Sequence, residues 1–170
     1  MGKKSVKSNK NIYFESREAA GLTRAQASEE LGFISESRLE KLENEKTPLR
    51  PEEVLAMSRA YNKPELCNYY CSHDCPIGQE YVPEVRMRDL SQIVLETLAS
   101  LNAVEKEKNK LIEITADGAI SEDELRDFAR IKEELDRISL AADSLQLWLD
   151  NTIAAGKIDK EKLDALGGKR

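Results

Sequence analysis

The second half of the chain carries two long stripes of apolar residues at helical spacing. Steps of mostly three and four residues predict two amphipathic helices, over about 85–114 and 125–153. Asp117-Gly118 suits the end of the first helix, and Ser121 with Glu124 forms a capping box for the second. A short connection between helices of similar length predicts an antiparallel hairpin over 85–153. The two stripes consist of Met87, Leu90, Val94, Leu98, Leu101, Val104, Leu111 and Ile114, and of Leu125, Phe128, Ile131, Leu135, Ile138, Ala142, Leu145 and Trp148.

A pair of helices cannot cover two such stripes and their flanks. Burying a Leu or Phe side chain is worth roughly 1.5–3 kcal/mol, so exposure of several would be costly. We therefore expect the hairpin to form a homodimer in the manner of a coiled coil. Packing on the N-terminal half is the alternative. The flanking residues expected to remain available are Leu95, Leu140, Leu147 and Leu149.

The first half of the chain has a different pattern, of short helices separated by turn signals over residues 11–82. Thr23 can cap a helix that ends at Gly32, and Ser35 can cap the next one. Pro51 suits the first turn of another helix, whose buried face is expected to include Val54, Leu55, Met57 and Ala60. Pro83 ends this region. The chain is thus predicted to be all-α, with a domain of four to five short helices, the hairpin, and flanking segments: a flexible basic arm at 1–10 and a short helix with a frayed tail at 154–170.

Residues from about 11 to 65 resemble the lambda repressor/Cro (XRE-type) family of helix-turn-helix transcriptional regulators. The residues that carry the resemblance are Leu22, Thr23, Leu31, Gly32, Ser35, Leu39, Leu42, Glu43, Asn44 and Lys46. The chain departs from the family pattern in three places. Two residues, Phe33 and Ile34, separate Gly32 from Ser35 where one is usual, Ala27-Ser28 replaces an apolar-Ala pair, and Glu45 stands where Gly is common.

The resemblance implies that double-stranded DNA binds at the start of the second helix and along the third. The implied DNA-binding residues are Thr23, Arg24, Ser35, Glu36, Ser37, Arg38, Lys41, Asn44, Lys46 and Thr47. Arg38 and Lys41 could donate to guanine edges or hold phosphates. A carboxylate such as Glu36 can accept from cytosine N4 but is repelled near phosphates.

Charge bears on the DNA hypothesis. The formal net charge is −6, which does not match a polyanion over the whole molecule. Residues 1–50 hold ten Lys and Arg against eight Asp and Glu, so the basic excess is confined to this end. Two functions follow: a sequence-specific, homodimeric transcriptional regulator, or an adaptor whose helix-turn-helix domain and hairpin bind a protein partner.

The three cysteines lie within one short stretch, as Cys67, Cys71 and Cys75, with the single histidine, His73, among them. Three thiols and an imidazole could hold zinc, and three thiolates could hold an iron–sulfur cluster with a fourth ligand from elsewhere. Packed or free thiols, or a disulfide formed on oxidation, are the other interpretations.

Chemistry of other kinds has little support in the sequence. No nucleophile–base pair and no glycine-rich phosphate loop is present, so no enzymatic activity is predicted. No apolar run approaches the roughly 18 residues of a membrane span, and the N-terminus lacks the apolar stretch of a secretion signal. A cytoplasmic location is expected.

Overall fold

Every regular element in the described part of the chain is a helix, which confirms the predicted all-α fold. The structure is a computed structural model, and it describes residues 10–114, 116 and 118–167. Most of the basic arm, Asp117 and the last three residues of the tail lie outside the described residues. The helices are α1 (Ile12–Ala19), α2 (Arg24–Leu31), α3 (Glu36–Glu43), α4 (Pro51–Ala60), α5 (Glu65–Tyr69), α6 (Pro76–Tyr81), α7 (Leu90–Ile114), α8 (Leu125–Ala154) and α9 (Lys160–Gly167), with a π-helical turn at Tyr70–Asp74 between α5 and α6.

The first helices enclose one apolar core. Leu39 and Leu42, three residues apart on α3, are fully buried, as their spacing predicts. Leu55 was expected in this core but is 44% exposed, because Val54 and Met57 set the inward face of α4 and Leu55 lies to one side of it. The buried cluster comprises Tyr13, Ala27, Leu31, Ile34, Leu39, Leu42, Val54, Met57, Tyr61 and Leu66.

The cysteine stretch is closed by a tight backbone contact at Gly78. The amide of Cys75 donates to the carbonyl of Tyr70 at 2.9 Å, which widens the chain into the π-helical turn. Gly78 of α6 then lies against that turn. A Cβ built on Gly78 would stand 2.0 Å from the carbonyl oxygen of Cys71, so glycine is required there.

The structure divides into two compact units, one made of the described residues up to 84 and from 150 onward, the other of residues 85–149. In the second unit, α7 and α8 form the antiparallel hairpin expected from the sequence. Ion pairs join the two helices: Arg130 approaches Glu107 at 2.9 Å, and Lys110 approaches Asp127 at 3.7 Å. In the first unit, α9 follows Asp159, whose carboxylate accepts from the amide of Lys162 at 3.2 Å.

In its first half, α7 buries a different side from the one that the apolar stripe predicts, whereas the stripe residues Ile114 of α7 and Ile131 of α8 are buried as expected. Ile93 and Ser100 are buried on α7, as are Ala141 and Ser144 on α8. The leucine stripe lies roughly a quarter turn away around α7. Leu90, Val94, Leu98 and Leu101 are therefore 37–52% exposed.

The flanks of the hairpin and the start of α7 also differ from expectation. Leu95 is exposed, but Leu147 is buried and Leu140 and Leu149 are half-buried, so three of the four flanking leucines are less available than predicted. Helix α7 begins at Leu90 rather than near 85, after Asp89, whose carbonyl accepts the amide of Ile93. Aspartate is favoured at that position before a helix. Among the described residues, no helix is long and apolar enough to cross a membrane.

Candidate nucleic-acid interface

Local hydrogen bonds position the second and third helices. Thr23 caps α2, accepting from the amide of Gln26 at 3.2 Å while the Gln26 side chain accepts from the Thr23 amide at 2.9 Å. Gly32 ends α2 with a φ of 71°, in the left-handed region that glycine enters without strain. Ser35 caps α3 through the amide of Arg38 at 3.2 Å. These predicted caps are confirmed.

The turn between the two helices is one residue longer than is usual in the family. Ile34 points inward and is 2% exposed, whereas Phe33 is 61% exposed. The Ser28 hydroxyl donates to the Ile34 carbonyl at 2.8 Å. Ser28, which stands where the family pattern has alanine, thus stabilises the longer turn through this hydrogen bond.

Arg38 lies on α3, but its guanidinium is held within the domain. It forms a fork with Glu53 of α4, at 2.8 Å from Nε and 2.9 Å from Nη2. Its Nη1 donates to the Thr47 hydroxyl at 2.7 Å, and Nη2 also donates to the carbonyl of Pro48 at 2.9 Å. The arrangement anchors the loop after α3 to both helices.

The Arg38–Glu53 pair is partly shielded from water. The Glu53 side chain is 7% exposed and that of Arg38 is 26% exposed. Burial alone would raise the pKa of Glu53, but the hydrogen bond from Arg38 and the backbone N–H of Arg50 outweigh it and lower that pKa. Glu53 is therefore an ionised carboxylate that holds Arg38 of α3 in place.

A second cluster joins α1, α2 and α3 at Glu43. Arg17 donates to both Glu43 oxygens, at 2.5 and 3.1 Å, and to the carbonyl of Leu22 at 2.6 Å. Arg24 reaches the same carboxylate at 2.7 Å. Burial opposes the charge on Arg17, but the hydrogen bond and the charge of Glu43 raise its pKa above its ordinary value. Arg17 and Arg24 thus both bind the buried carboxylate of Glu43.

The remaining site residues predicted from the sequence lie on or beside α3. Glu36, Ser37, Lys41 and Lys46 are exposed. The Asn44 side chain donates to the Glu40 carbonyl at 2.7 Å. The structure therefore joins Arg38 with Thr47 and Arg24 with Glu43. It uses Thr23 and Ser35 as helix caps and leaves Glu36, Ser37, Lys41 and Lys46 exposed.

Two residues of these ion-pair clusters were not identified from the sequence: Glu53, the partner of Arg38, and Arg17, which shares Glu43 with Arg24. Neither has a local signal, because the pairs Arg38–Glu53 and Arg17–Glu43 are 15 and 26 residues apart. The sequence signal that could have indicated a buried ion pair is a charged residue at a position that the helical pattern assigns to the buried face. Glu43, next to Leu42, fits that description.

The four candidate metal ligands are spread along the π-helical turn and its flanks. His73 stacks on Tyr69 with ring centroids 4.2 Å apart, and its Nδ1 lies 2.9 Å from the Ser72 hydroxyl. Cys67, Cys71 and Cys75 are half-buried free thiols. Burial and the neighbouring thiols raise the pKa of Cys71, which disfavours its thiolate. Within 10–114, 116 and 118–167, no three His, Cys, Asp or Glu residues are grouped to hold a metal ion; the metal site stays a prediction.

Comparison with known proteins finds a family for part of the first unit. Residues 15–66 match the family model described as helix-turn-helix, of the lambda repressor-like (XRE) type, which confirms the resemblance found in the sequence. No curated protein and no solved structure matches the chain. The match covers α2, the turn and α3, the elements whose caps and ion pairs are described above.

Proposed function

We propose that this chain, whose residues 15–66 form a lambda repressor-like helix-turn-helix segment, is a sequence-specific transcriptional regulator that acts as a homodimer. The observation that carries the proposal is α3: it is capped at Ser35, fixed on its inner side by Leu39 and Leu42, and exposed on its outer side. A helix held rigidly from below and open on one side suits insertion into the major groove.

The internal ion pairs favour a structural role for Arg24 and Arg38 rather than direct contact with DNA bases. Glu43 and Glu53 hold Arg24 and Arg38 in fixed orientations. Positively charged contacts to DNA then fall to exposed cations, of which Lys41 and Lys46 lie nearest the third helix in sequence. Few cations imply modest affinity per protomer, which two recognition helices in a dimer would offset.

The hairpin supplies the surface for that dimer. Leu90, Val94, Leu98 and Leu101 form a half-exposed ridge on α7, and between Leu90 and Val104 the helix has a single charged residue, Glu96. Covering each half-exposed side chain is worth about 1 kcal/mol. A second copy is the occupant that we infer, because an apolar, nearly uncharged ridge is complementary to itself about a two-fold axis.

DNA binding is tested by anisotropy with full-length protein and genomic fragments. We expect Lys41→Ala with Lys46→Ala to weaken binding to the best fragment about tenfold or more. Lys157→Ala with Lys160→Ala is the matched control, since both lysines are exposed, lie outside the family match and remove equal charge. Equal affinity of the two double variants would contradict this interface. A wild-type protein that binds no fragment would favour the adaptor function.

Dimerisation is tested by light scattering on the full-length chain. The wild type is expected to be a dimer at micromolar concentration, and Leu98→Glu with Leu101→Glu to be a folded monomer, because two carboxylates would have to be desolvated. Leu166→Glu changes another exposed leucine, on α9, and should leave the dimer intact. A monomeric wild type would rule out self-association through this ridge.

A further inference from the structure

The outward side of α3 carries four polar side chains that the fold does not use. Glu36, Ser37, Glu40 and Lys41 are exposed, and their side chains have no hydrogen-bond or ion-pair partner among the described residues. The arginine of the same helix, Arg38, is by contrast fully engaged with Glu53, Thr47 and Pro48. The groups available to touch base edges are therefore two carboxylates, one hydroxyl and one ammonium.

We propose that α3 reads C·G base pairs, with the Glu36 carboxylate accepting from the N4 amino group of cytosine and the Lys41 ammonium donating to O6 and N7 of guanine. This inference rests on the proposed function and adds the base identity of the operator. In the major groove only cytosine N4 and adenine N6 present donors, and guanine presents two adjacent acceptors. The carboxylate, which only accepts, thus selects cytosine, and the ammonium, which only donates, selects guanine, so both side chains select C·G base pairs.

Cytosine is preferred over adenine for an electrostatic reason. Adenine places the N7 acceptor beside its N6 donor, so a carboxylate that accepts from N6 also faces a lone pair. A glutamine amide satisfies both atoms of adenine because it has a donor and an acceptor. Replacing Glu36 by glutamine should therefore change the selected base from cytosine to adenine.

Glu36 is a better reader than Glu40 because of its place on the helix. Glu36 lies in the first turn of α3, where the partial positive charge of the helix N-terminus offsets a carboxylate near phosphates. The N-terminal residues of a recognition helix are also those that contact base edges. Glu40 lies one turn further along and serves as the matched control.

The experiment is selection of binding sites from randomised double-stranded DNA by full-length wild type, Glu36→Gln and Glu40→Gln, followed by sequencing and anisotropy on the enriched duplexes. The wild type should prefer cytosine over adenine at one position by about tenfold or more. Glu36→Gln should reverse that preference at that position only. Glu40→Gln should select the same motif as the wild type. Circular dichroism confirms that each variant is folded, which the exposure of both side chains leads us to expect.

The outcomes separate this inference from the proposed function. If the wild type enriches no motif, both are overturned. If the wild type enriches a motif that Glu36→Gln leaves unchanged, the proposed sequence-specific DNA binding is supported, but the proposal that Glu36 contacts cytosine is overturned. If Glu40→Gln rather than Glu36→Gln changes the base, the reading register of α3 differs from the proposed one and the assignment of Glu36 is likewise overturned.

Discussion

Replacement of Arg38 by alanine distinguishes a structural arginine from one that reads DNA. The substitution removes four hydrogen bonds, two to Glu53 and one each to Thr47 and Pro48. The Glu53 carboxylate then keeps only the amide of Arg50, at 2.9 Å, while its side chain is 7% exposed. The carboxylate then has only Arg50 as a neighbouring positive charge, so the domain must hold it poorly compensated, protonate it or open to hydrate it.

The expected cost follows from this geometry. Breaking a buried ion pair by removing one partner costs about 3–5 kcal/mol, whereas exposed pairs contribute roughly 0–1 kcal/mol. Arg38 is about a quarter exposed and Glu53 is almost completely buried, so the pair falls between these limits. We expect Arg38→Ala to lower the free energy of unfolding by about 2–3 kcal/mol.

Urea denaturation followed by circular dichroism at 222 nm measures this loss, and Lys41→Ala is the control. Lys41 is exposed and has no side-chain partner among the described residues, so its replacement should change stability by less than about 0.5 kcal/mol. Arg38→Ala with Glu53→Ala should recover part of the loss, because the unpaired carboxylate is gone. If Arg38→Ala leaves stability unchanged but lowers DNA affinity, Arg38 reads DNA and the bracing role assigned here is wrong.

Three further measurements test the charge on Glu53, the backbone contact at Gly78 and the turn between α2 and α3. Because the pKa of Glu53 is lowered in the folded state, its contribution to stability is present above the unfolded carboxyl pKa and is lost as the pH falls through the folded pKa. The free energy of unfolding should therefore decrease below about pH 4, and it should decrease less steeply in Glu53→Gln. Gly78→Ala should destabilise by about 1–3 kcal/mol in thermal melts although alanine favours helices, since its Cβ would meet the Cys71 carbonyl, and a more stable variant would show that the contact relaxes. Ser28→Ala should cost about 1 kcal/mol by losing its bond to Ile34, with Glu29→Ala, an exposed neighbour, as the neutral control in the same melts.

Local structure in the helix-turn-helix segment could be predicted from the sequence because it depends on neighbours along the chain. Thr23 and Ser35 cap helices through amides three residues ahead, and Gly32 supplies a positive φ. The periodicity that placed Leu39 and Leu42 in the core is likewise a property of one helix. The family match at residues 15–66 includes these residues.

The tertiary structure decided which polar residues of this segment are available. Arg38 and Lys41 look equivalent in the sequence, but Arg38 lies within reach of a carboxylate on another helix, whereas Lys41 has no such partner among the described residues. Partners 15 residues apart along the chain leave no periodic signal. The same holds for Gly78, a position that glycine must occupy only because the carbonyl of Cys71 approaches it.

The hairpin shows the same division on a larger scale. Spacing of three and four residues determines that α7 and α8 are amphipathic helices, and the short connection determines that they are antiparallel. The spacing does not determine which side of each helix faces the other helix, because apolar residues also lie on the sides of α7 next to the buried one. The tertiary structure decided it: Ile93, Ser100 and Ala141 are buried, whereas Leu98 remains on the exposed ridge.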